Sequence, residues 1–290
     1  MDSANEKIGN LIAQIRQDRG LTQAEFAKRL RTSQSAVNRI EHGKQNVSIE
    51  TLGRISDVLN KQLISLTGKA VNLRIEGGYE LSGEITLKTS KNAAVGLLCA
   101  SLLNYGVTKF LNFPKIEEVF RIIEVLTSIG VQVKWVNGND IEIRRPRTLK
   151  LENIDAEAAR KTRSVLMMIG SLLHDNKQFQ IPYAGGCKLG QRTVEPHLFA
   201  LEEFGVSIEA HKGHYHIEVK KKPAGRITLY ETGDTVTENA LLAAARTTDE
   251  TIIQFASANY SVQDVCLFLK KLGVKLDGIG STVLRIRGTN

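Results

Sequence analysis

Membrane-length apolar runs are missing from these 290 residues: none approaches the roughly 20 residues that cross a bilayer. The N-terminus, Met1-Asp2-Ser3-Ala4-Asn5-Glu6, lacks the basic-then-apolar layout of a secretory signal, so the expected location is the cytoplasm and no membrane partner is expected. Cysteine is scarce. Cys99, Cys187 and Cys266 are too few, too far apart and odd in number for a disulfide framework, and no Cys/His spacing matches a zinc site. The single tryptophan, Trp135, falls in a strand beside a hairpin turn, where packing is its expected role. What is present is ordinary for a globular chain long enough for two domains, 42% hydrophobic and 24% charged. Positive charge is in excess, +8 at pH 7, which calls for an anionic partner, nucleic acid or phosphorylated small molecules, without choosing between them.

Residues 5 to 66 read as helices with no strand. Ile8, Leu11, Ile12 and Ile15 have helical spacing up to Gly20. Thr22-Gln23-Ala24-Glu25 is a capping box opening a second helix through Phe26, Ala27 and Leu30. Arg31-Thr32 turns the chain, Ser33 caps a third helix as far as His42, and Ser48 opens a fourth. The segment Leu21 to Ala27 with Ser33 to Gly43 resembles the helix-turn-helix of the Cro/phage-repressor type. By that resemblance the third helix enters the major groove of duplex DNA, with Gln34, Ser35 and Asn38 facing bases and Gln23, Arg39 and Lys44 nearer the backbone. Ten cations against seven acids leave only +3 over residues 1–66, so binding by a monomer should be weak and salt-sensitive. The alternative is a small helical bundle for protein docking or dimerisation.

Beyond a linker at 67–71 the chain changes to short β-rich runs alternating with helices, and it repeats itself. Leu126-Thr127-Ser128-Ile129-Gly130-Val131 recurs as Leu201-Glu202-Glu203-Phe204-Gly205-Val206 and as Leu269-Lys270-Lys271-Leu272-Gly273-Val274, spaced by 75 and 68 residues. Each copy ends a helix on glycine and leads into a hairpin. Filled in, each unit reads strand, helix, strand, helix, hairpin, with first strands at 84–87 and 226–229 and one long helix at 156–173. The expectation is an α/β domain of three βαβαββ units, helices sharing a core and sheets outward.

The most reactive-looking stretch is Ala184-Gly185-Gly186-Cys187-Lys188-Leu189-Gly190-Gln191-Arg192, a glycine-punctuated loop in which Lys188 and Arg192 would favour a thiolate and attract an anion. On these residues alone a glycine-rich turn with an incidental cysteine remains the alternative. Cys99 and Cys266 lie among Leu and Ala on helices and read as buried apolar residues; His197 reads as a surface or capping residue.

Several stretches together resemble the enolpyruvyl transferases, specifically the UDP-N-acetylglucosamine type of peptidoglycan synthesis: Ile75-Glu76-Gly77-Gly78, Leu81-Ser82-Gly83-Glu84-Ile85, Ser90-Lys91-Asn92-Ala93-Ala94, Thr162-Arg163-Ser164, Gly185-Gly186-Cys187 with Gly190-Gln191-Arg192, and Thr232-Gly233-Asp234-Thr235. The resemblance covers residues 72–290. It implies an inside-out barrel, cell-wall precursor synthesis, and transfer of the enolpyruvyl group of phosphoenolpyruvate to the sugar 3′-hydroxyl with neither cofactor nor metal. It makes Cys187 the acid that protonates the phosphoenolpyruvate methylene, and Lys91 and Arg192 the clamp on its phosphate. Asn92 and Arg163 would hold the sugar nucleotide, and Thr232 and Gly233 its diphosphate. Without the resemblance, Lys91 reads as a solvated helix-start lysine and Arg163 as a surface helix charge. Three positions depart from the family pattern. Arg192-Thr193-Val194-Glu195 replaces Arg-Pro-Val-Asp, Thr89-Ser90 lacks the glycine before Lys-Asn, and Asn259-Tyr260-Ser261-Val262 replaces Glu-Pro-Glu-Ile, leaving the uridine contact at 195 open. Family members carry two such three-unit domains, so the resemblance further implies that half the cleft is absent, a second domain or a homodimer completing it. The competing expectation is a DNA-binding regulator whose transferase-like domain senses a UDP-sugar.

Overall fold

The structure is a computed structural model that describes residues 4–59, 83–84, 89–184, 194–220 and 225–289. Two compact units are distinguished: Met1–Lys88 with Trp135–Asn139, and Thr89–Lys134 with Asp140–Asn290. The expected strand at 84–87 and the cysteine loop fall largely outside the described residues.

The first unit contains α1 (Ala4–Asp18), α2 (Gln23–Leu30), α3 (Gln34–Glu41) and α4 (Ile49–Leu59). The local signals act as read. The Thr22 hydroxyl accepts from Glu25 N–H at 3.2 Å while the Glu25 carboxylate accepts from Thr22 N–H at 2.8 Å. Arg31 closes α2 in the left-handed region, φ 55°, and the Ser33 hydroxyl caps α3. Ile12, Phe26, Val37, Ile55 and Leu59 fill the centre of this bundle.

Beyond Lys88 the chain is built from three repeats. The first holds α5 (Lys91–Ser101), β1 (Val107–Phe110), α6 (Glu117–Ser128), β2 (Gln132–Val136) and β3 (Asp140–Arg144). The second holds α7 (Ala156–Arg160), α8 (Met168–Leu172), β4 (Gln178–Pro182), α9 (Glu195–Glu202), β5 (Val206–His211) and β6 (His214–Val219). The third holds β7 (Arg226–Thr228), α10 (Asp234–Ala244), β8 (Glu250–Gln254), α11 (Tyr260–Lys271), β9 (Lys275–Asp277) and β10 (Val283–Arg287). Their sheets run β1-β3-β2, β4-β6-β5 and β7-β8-β10-β9. In each, the strand before the second helix pairs antiparallel with the last hairpin strand, through Thr108↔Ile143, Phe179↔Ile217 and Ile253↔Leu284. The repeated glycines Gly130, Gly205 and Gly273 have φ of 96°, 75° and 96°, a conformation that a Cβ would strain, which is why the same residue recurs three times.

One expectation fails. Residues 156–173 are not a single helix: α7 stops at Arg160, a 3-10 turn covers Ser164–Met167, and α8 follows. The cause is a non-local acceptor. Glu118 of α6 takes hydrogen bonds from the hydroxyls of Thr162 and, at 2.8 Å, Ser164, and the Thr162 oxygen accepts from Ser164 N–H at 3.0 Å. The chain bends to satisfy these groups, and Arg163 is presented at the bend rather than on a helix surface.

Three helices share the core in parallel. A Cβ on Gly96 of α5 would lie 3.1 Å from the Glu238 carboxylate of α10; the Ser171 hydroxyl of α8 donates to Cys99 O at 2.8 Å; Gly170 N–H of α8 donates to Asn239 Oδ1 of α10 at 2.8 Å. His174 meets Leu242 O at 2.8 Å further along. The order of contacts is kept along the chain, Gly170 with Asn239 and then His174 with Leu242, and Gly96 beside Glu238 ahead of Cys99 beside Ser171, so the three run the same way. Close approach requires Gly170, where a Cβ would stand 2.3 Å from Asn239 O. Beyond the C-terminal ends, Tyr105, Asp175 and Arg246, one from each repeat, converge. Asp175 accepts from the Tyr105 hydroxyl at 2.8 Å, from Arg246 at 2.9 Å and from buried Arg145 at 2.6 Å, while the Arg145 guanidinium lies 4.4 Å above the Tyr105 ring.

Candidate functional site

Because α5, α8 and α10 are parallel, their N-terminal ends share one pole of the core, and most of the expected ligand residues are there. Ser90 caps α5 through its hydroxyl, accepting from Ala93 N–H at 3.2 Å, and Lys91 and Asn92 follow, both exposed. Arg163 stands at the bend ahead of α8, half-buried. Gly233 is the N-cap of α10, preceded by exposed Thr232. Lys91 is five residues before Gly96 and Asp234 four before Glu238, so at ~1.5 Å per residue both helices begin about 6–8 Å from that contact. Cys187 and Arg192 lie outside the described residues.

His197 joins two of these positions. It is buried, 4% exposed, on the first turn of α9, where sequence reasoning expected a surface or capping histidine. Its ring contacts Thr235 Oγ1 at 3.3 Å and Asn239 Nδ2 at 3.1 Å. Burial first, then the charge of Arg163, bring its pKa down to about 4, so it is neutral at physiological pH. The same Arg163 charge acts on Tyr215, whose ring packs edge-on to Tyr183 at 4.8 Å. Arg163 and the first turn of α10 are therefore neighbours through His197.

Asp234 is held by its own network: it accepts from Ser257 Oγ at 2.5 Å and from Asn259 Nδ2 at 2.9 Å. Sequence reasoning missed His197, Asn239 and Glu238 as structural partners of this end. The available signal was Glu238-Asn239, two polar residues interrupting the apolar run of α10. A cavity of about 580 Å³ lies elsewhere, between β4, the segment 149–160 and the β5–β6 turn, and none of the expected ligand residues lines it. Among the described residues no group of three or more His, Cys, Asp or Glu side chains is arranged to hold a metal ion, and no helix is long and apolar enough to cross a membrane.

In the first unit, Gln34, Ser35, Asn38, Arg39 and Lys44 are all exposed. Gln23 is half-buried: its amide nitrogen donates to Glu41 at 2.8 Å, and its oxygen faces Asn38 Nδ2 at 3.5 Å. Glu41 is itself fixed by buried Arg16, at 2.5 and 2.9 Å. A buried ion pair therefore sets the rotamer of Gln23, and Gln23 borders Asn38 on the exposed face. Arg39 Nε donates to Gln45 at 3.2 Å.

A four-helix unit with a turn between α2 and α3, and a three-repeat domain with its polar residues gathered at one pole, define a two-part chain, a helix-turn-helix joined to a transferase-type fold. The profile of the family described as EPSP synthase (3-phosphoshikimate 1-carboxyvinyltransferase) matches residues 75–290, and the chain belongs to that family; a helix-turn-helix profile matches residues 12–66. Among curated relatives, the UDP-N-acetylglucosamine 1-carboxyvinyltransferase of Gloeobacter violaceus is 33% identical over 216 residues, covering 74% of this chain and 47% of the relative. That of Helicobacter pylori is 32% identical over 217 residues, covering 74% and 51%. The chain thus spans about half the length of the curated relatives it matches. Among solved structures, the enolpyruvyl transferase NikO from Streptomyces tendae superposes with a TM-score of 0.63 at 20% identity, covering 74% of this chain and 50% of that one. EPSP synthase from Acinetobacter baumannii gives 0.53 at 17%, covering 72% and 47%. Both likenesses concern the fold.

Proposed function

We propose that residues 72–290 form one half of an enolpyruvyl transferase site for phosphoenolpyruvate and UDP-N-acetylglucosamine, serving peptidoglycan precursor synthesis, and that residues 1–66, joined through 67–71, bind duplex DNA. The observation that supports the first part best is the shared pole of α5, α8 and α10, where Lys91, Asn92, Arg163, Thr232 and Gly233 come from three repeats to one end. A dianionic phosphate, a carboxylate and a diphosphate call for cations and backbone donors, and that end carries Lys91 and Arg163 beside the amino-terminal ends of α5 and α10. In the reaction the sugar 3′-oxygen bonds to C2 of phosphoenolpyruvate, its hydroxyl proton passing to a base on the other half of the cleft, while the Cys187 thiol gives its proton to the C3 methylene and is left as the thiolate. Return of a C3 proton to that thiolate then restores the double bond and expels inorganic phosphate. Lys91 and Arg192 hold that phosphate, Asn92 and Arg163 the sugar nucleotide, and the Thr232-Gly233 backbone its diphosphate.

Calorimetry of the 290-residue chain with UDP-N-acetylglucosamine tests the reading. The expected result is weak binding abolished by Arg163→Ala. Phosphate release from phosphoenolpyruvate should stay at background, because a site open on one side forfeits much of the ~7–11 kcal/mol that orientation of two reactants supplies. Fast turnover by this chain alone would refute the half-site. Absence of nucleotide binding would refute the ligand assignment. For the first unit, the exposed Gln34, Ser35 and Asn38 with Gln23 fixed beneath them support a DNA-reading face. Salt-dependent binding of duplex DNA by the whole chain is the measurement, and no affinity at low salt would leave protein docking as its role.

A further inference from the structure

Hydrogen-bond direction around His197 can be followed from a group that has no choice. The backbone N–H of Gly170 is a donor, and it reaches Asn239 Oδ1 at 2.8 Å, so that atom is the amide oxygen. The other end of the amide is then NH₂, which donates to Leu166 O at 3.1 Å. The same nitrogen lies 3.1 Å from His197 Nδ1 and has only protons to offer, so Nδ1 must accept. A neutral imidazole with Nδ1 as acceptor carries its proton on Nε2. That proton points at Thr235 Oγ1, 3.3 Å away. Thr235, having accepted, has its own hydroxyl proton to give in another direction, and its side chain is exposed on the first turn of α10, two residues after Gly233.

We propose that His197 is a positioning residue for the sugar-nucleotide site: locked by Asn239 as the Nε2-protonated neutral tautomer, it donates to Thr235 and so turns the Thr235 hydroxyl proton toward the diphosphate. This rests on the reading that Thr232 and Gly233 approach that diphosphate. A protonated imidazole could not occupy this place, since Nδ1–H would face the NH₂ of Asn239. Burial and the Arg163 charge work in the same direction. The arrangement also ties the residues that follow the cysteine loop to the ligand: His197 is the third residue of α9, which begins directly after that loop.

The test combines a spectroscopic and a binding measurement on the 290-residue chain. Nitrogen-15 NMR of imidazole-labelled protein at pH 6, with His197 assigned by its loss in His197→Phe, should show a neutral ring protonated on Nε2, and Asn239→Leu should abolish that preference. Calorimetry with UDP-N-acetylglucosamine should show Thr235→Val weakening affinity about ten- to hundredfold, as for a hydrogen bond to a charged group, with Thr235→Ser restoring it. His197→Phe should cost a similar factor, and Thr235→Val should add little to it, because the two side chains act in series. A cationic or Nδ1-protonated ring overturns the proposal, as does binding by Thr235→Val at the wild-type level. Wild-type binding that Arg163→Ala abolishes and Thr235→Val leaves unchanged overturns the positioning role alone. Failure of the wild type to bind overturns the site and the positioning role together.

Discussion

Replacing Glu238 by glutamine should change how stability depends on pH. Glu238 is 1% exposed in the middle of α10, and neither carboxyl oxygen has a hydrogen-bond partner; the Ser261 hydroxyl is close by but outside hydrogen-bonding geometry. Burial above all, with Ser261 opposing and Asp234 adding, pushes its pKa from 4.5 to about 8. Below pH 4.5 both folded and unfolded chains hold the proton and nothing differs. Above it the unfolded chain releases a proton that the folded chain keeps, so raising the pH favours unfolding by about 1.4 kcal/mol per pH unit until the folded pKa is passed. Between pH 5 and 7 the wild type should lose roughly 2–3 kcal/mol from this residue, and the loss should level off above about pH 8. Glutamine imitates the protonated carboxyl and does not titrate. It adds a buried amide with its own constant penalty of about 1–3 kcal/mol, so the informative quantity is the slope and not the value at one pH. Urea unfolding of the larger unit, followed by circular dichroism at pH 5, 6, 7 and 8, measures it. The variant should gain on the wild type steadily across that range. Parallel stability curves would show that Glu238 is ionised in the fold, and the reasoning from its burial would be wrong.

Two further outcomes follow from the same structure. Cys187 should react with iodoacetamide near neutral pH well before Cys99 and Cys266; both of these are buried, and burial together with the Glu238 charge pushes Cys266 up to about 12 and raises Cys99 as well. Mass mapping that finds equal labelling at all three would remove the case for an activated thiol. In DNA-binding titrations of the whole chain, Asn38→Ala should lower discrimination between sequences, whereas Lys44→Ala should weaken all sequences alike and flatten the salt dependence by about one unit of slope. The reverse pattern would mean that α3 is not the reading helix.

What could be read from the chain alone was what local chemistry decides. The capping box at Thr22 and Glu25, the turn at Arg31-Thr32 and the Ser33 cap are settled within a few residues of themselves, and all were legible. So were the three glycine-terminated helices, because the same strain recurs at 130, 205 and 273. The break at Lys161-Thr162-Arg163 was not legible, since its cause, Glu118, lies 44 residues before Thr162 on another helix. The burial of His197 depends in the same way on Asn239, 42 residues later. Buried polar residues are decided by partners at long range, and a single sequence shows the residue without the partner. Of the expected site, Lys91, Asn92, Arg163, Thr232 and Gly233 come to one end of the core, while Cys187 and Arg192 fall outside the described residues.

Aligning α5 and α10 side by side has an electrostatic consequence. Each is 11 residues long, and peptide dipoles summed along such a helix leave roughly half a positive charge at its amino end and half a negative charge at its carboxyl end. Parallel neighbours put like poles together, which is unfavourable at both ends. At the carboxyl ends the cations Arg145 and Arg246, gathered on Asp175, offset the repulsion. At the amino ends Asp234 answers for α10, while the first turn of α5 carries no acid at all and begins with Lys91. An anion bound there would quiet a repulsion that the fold has built into itself, so occupancy of that end and the cohesion of the helical core become coupled quantities.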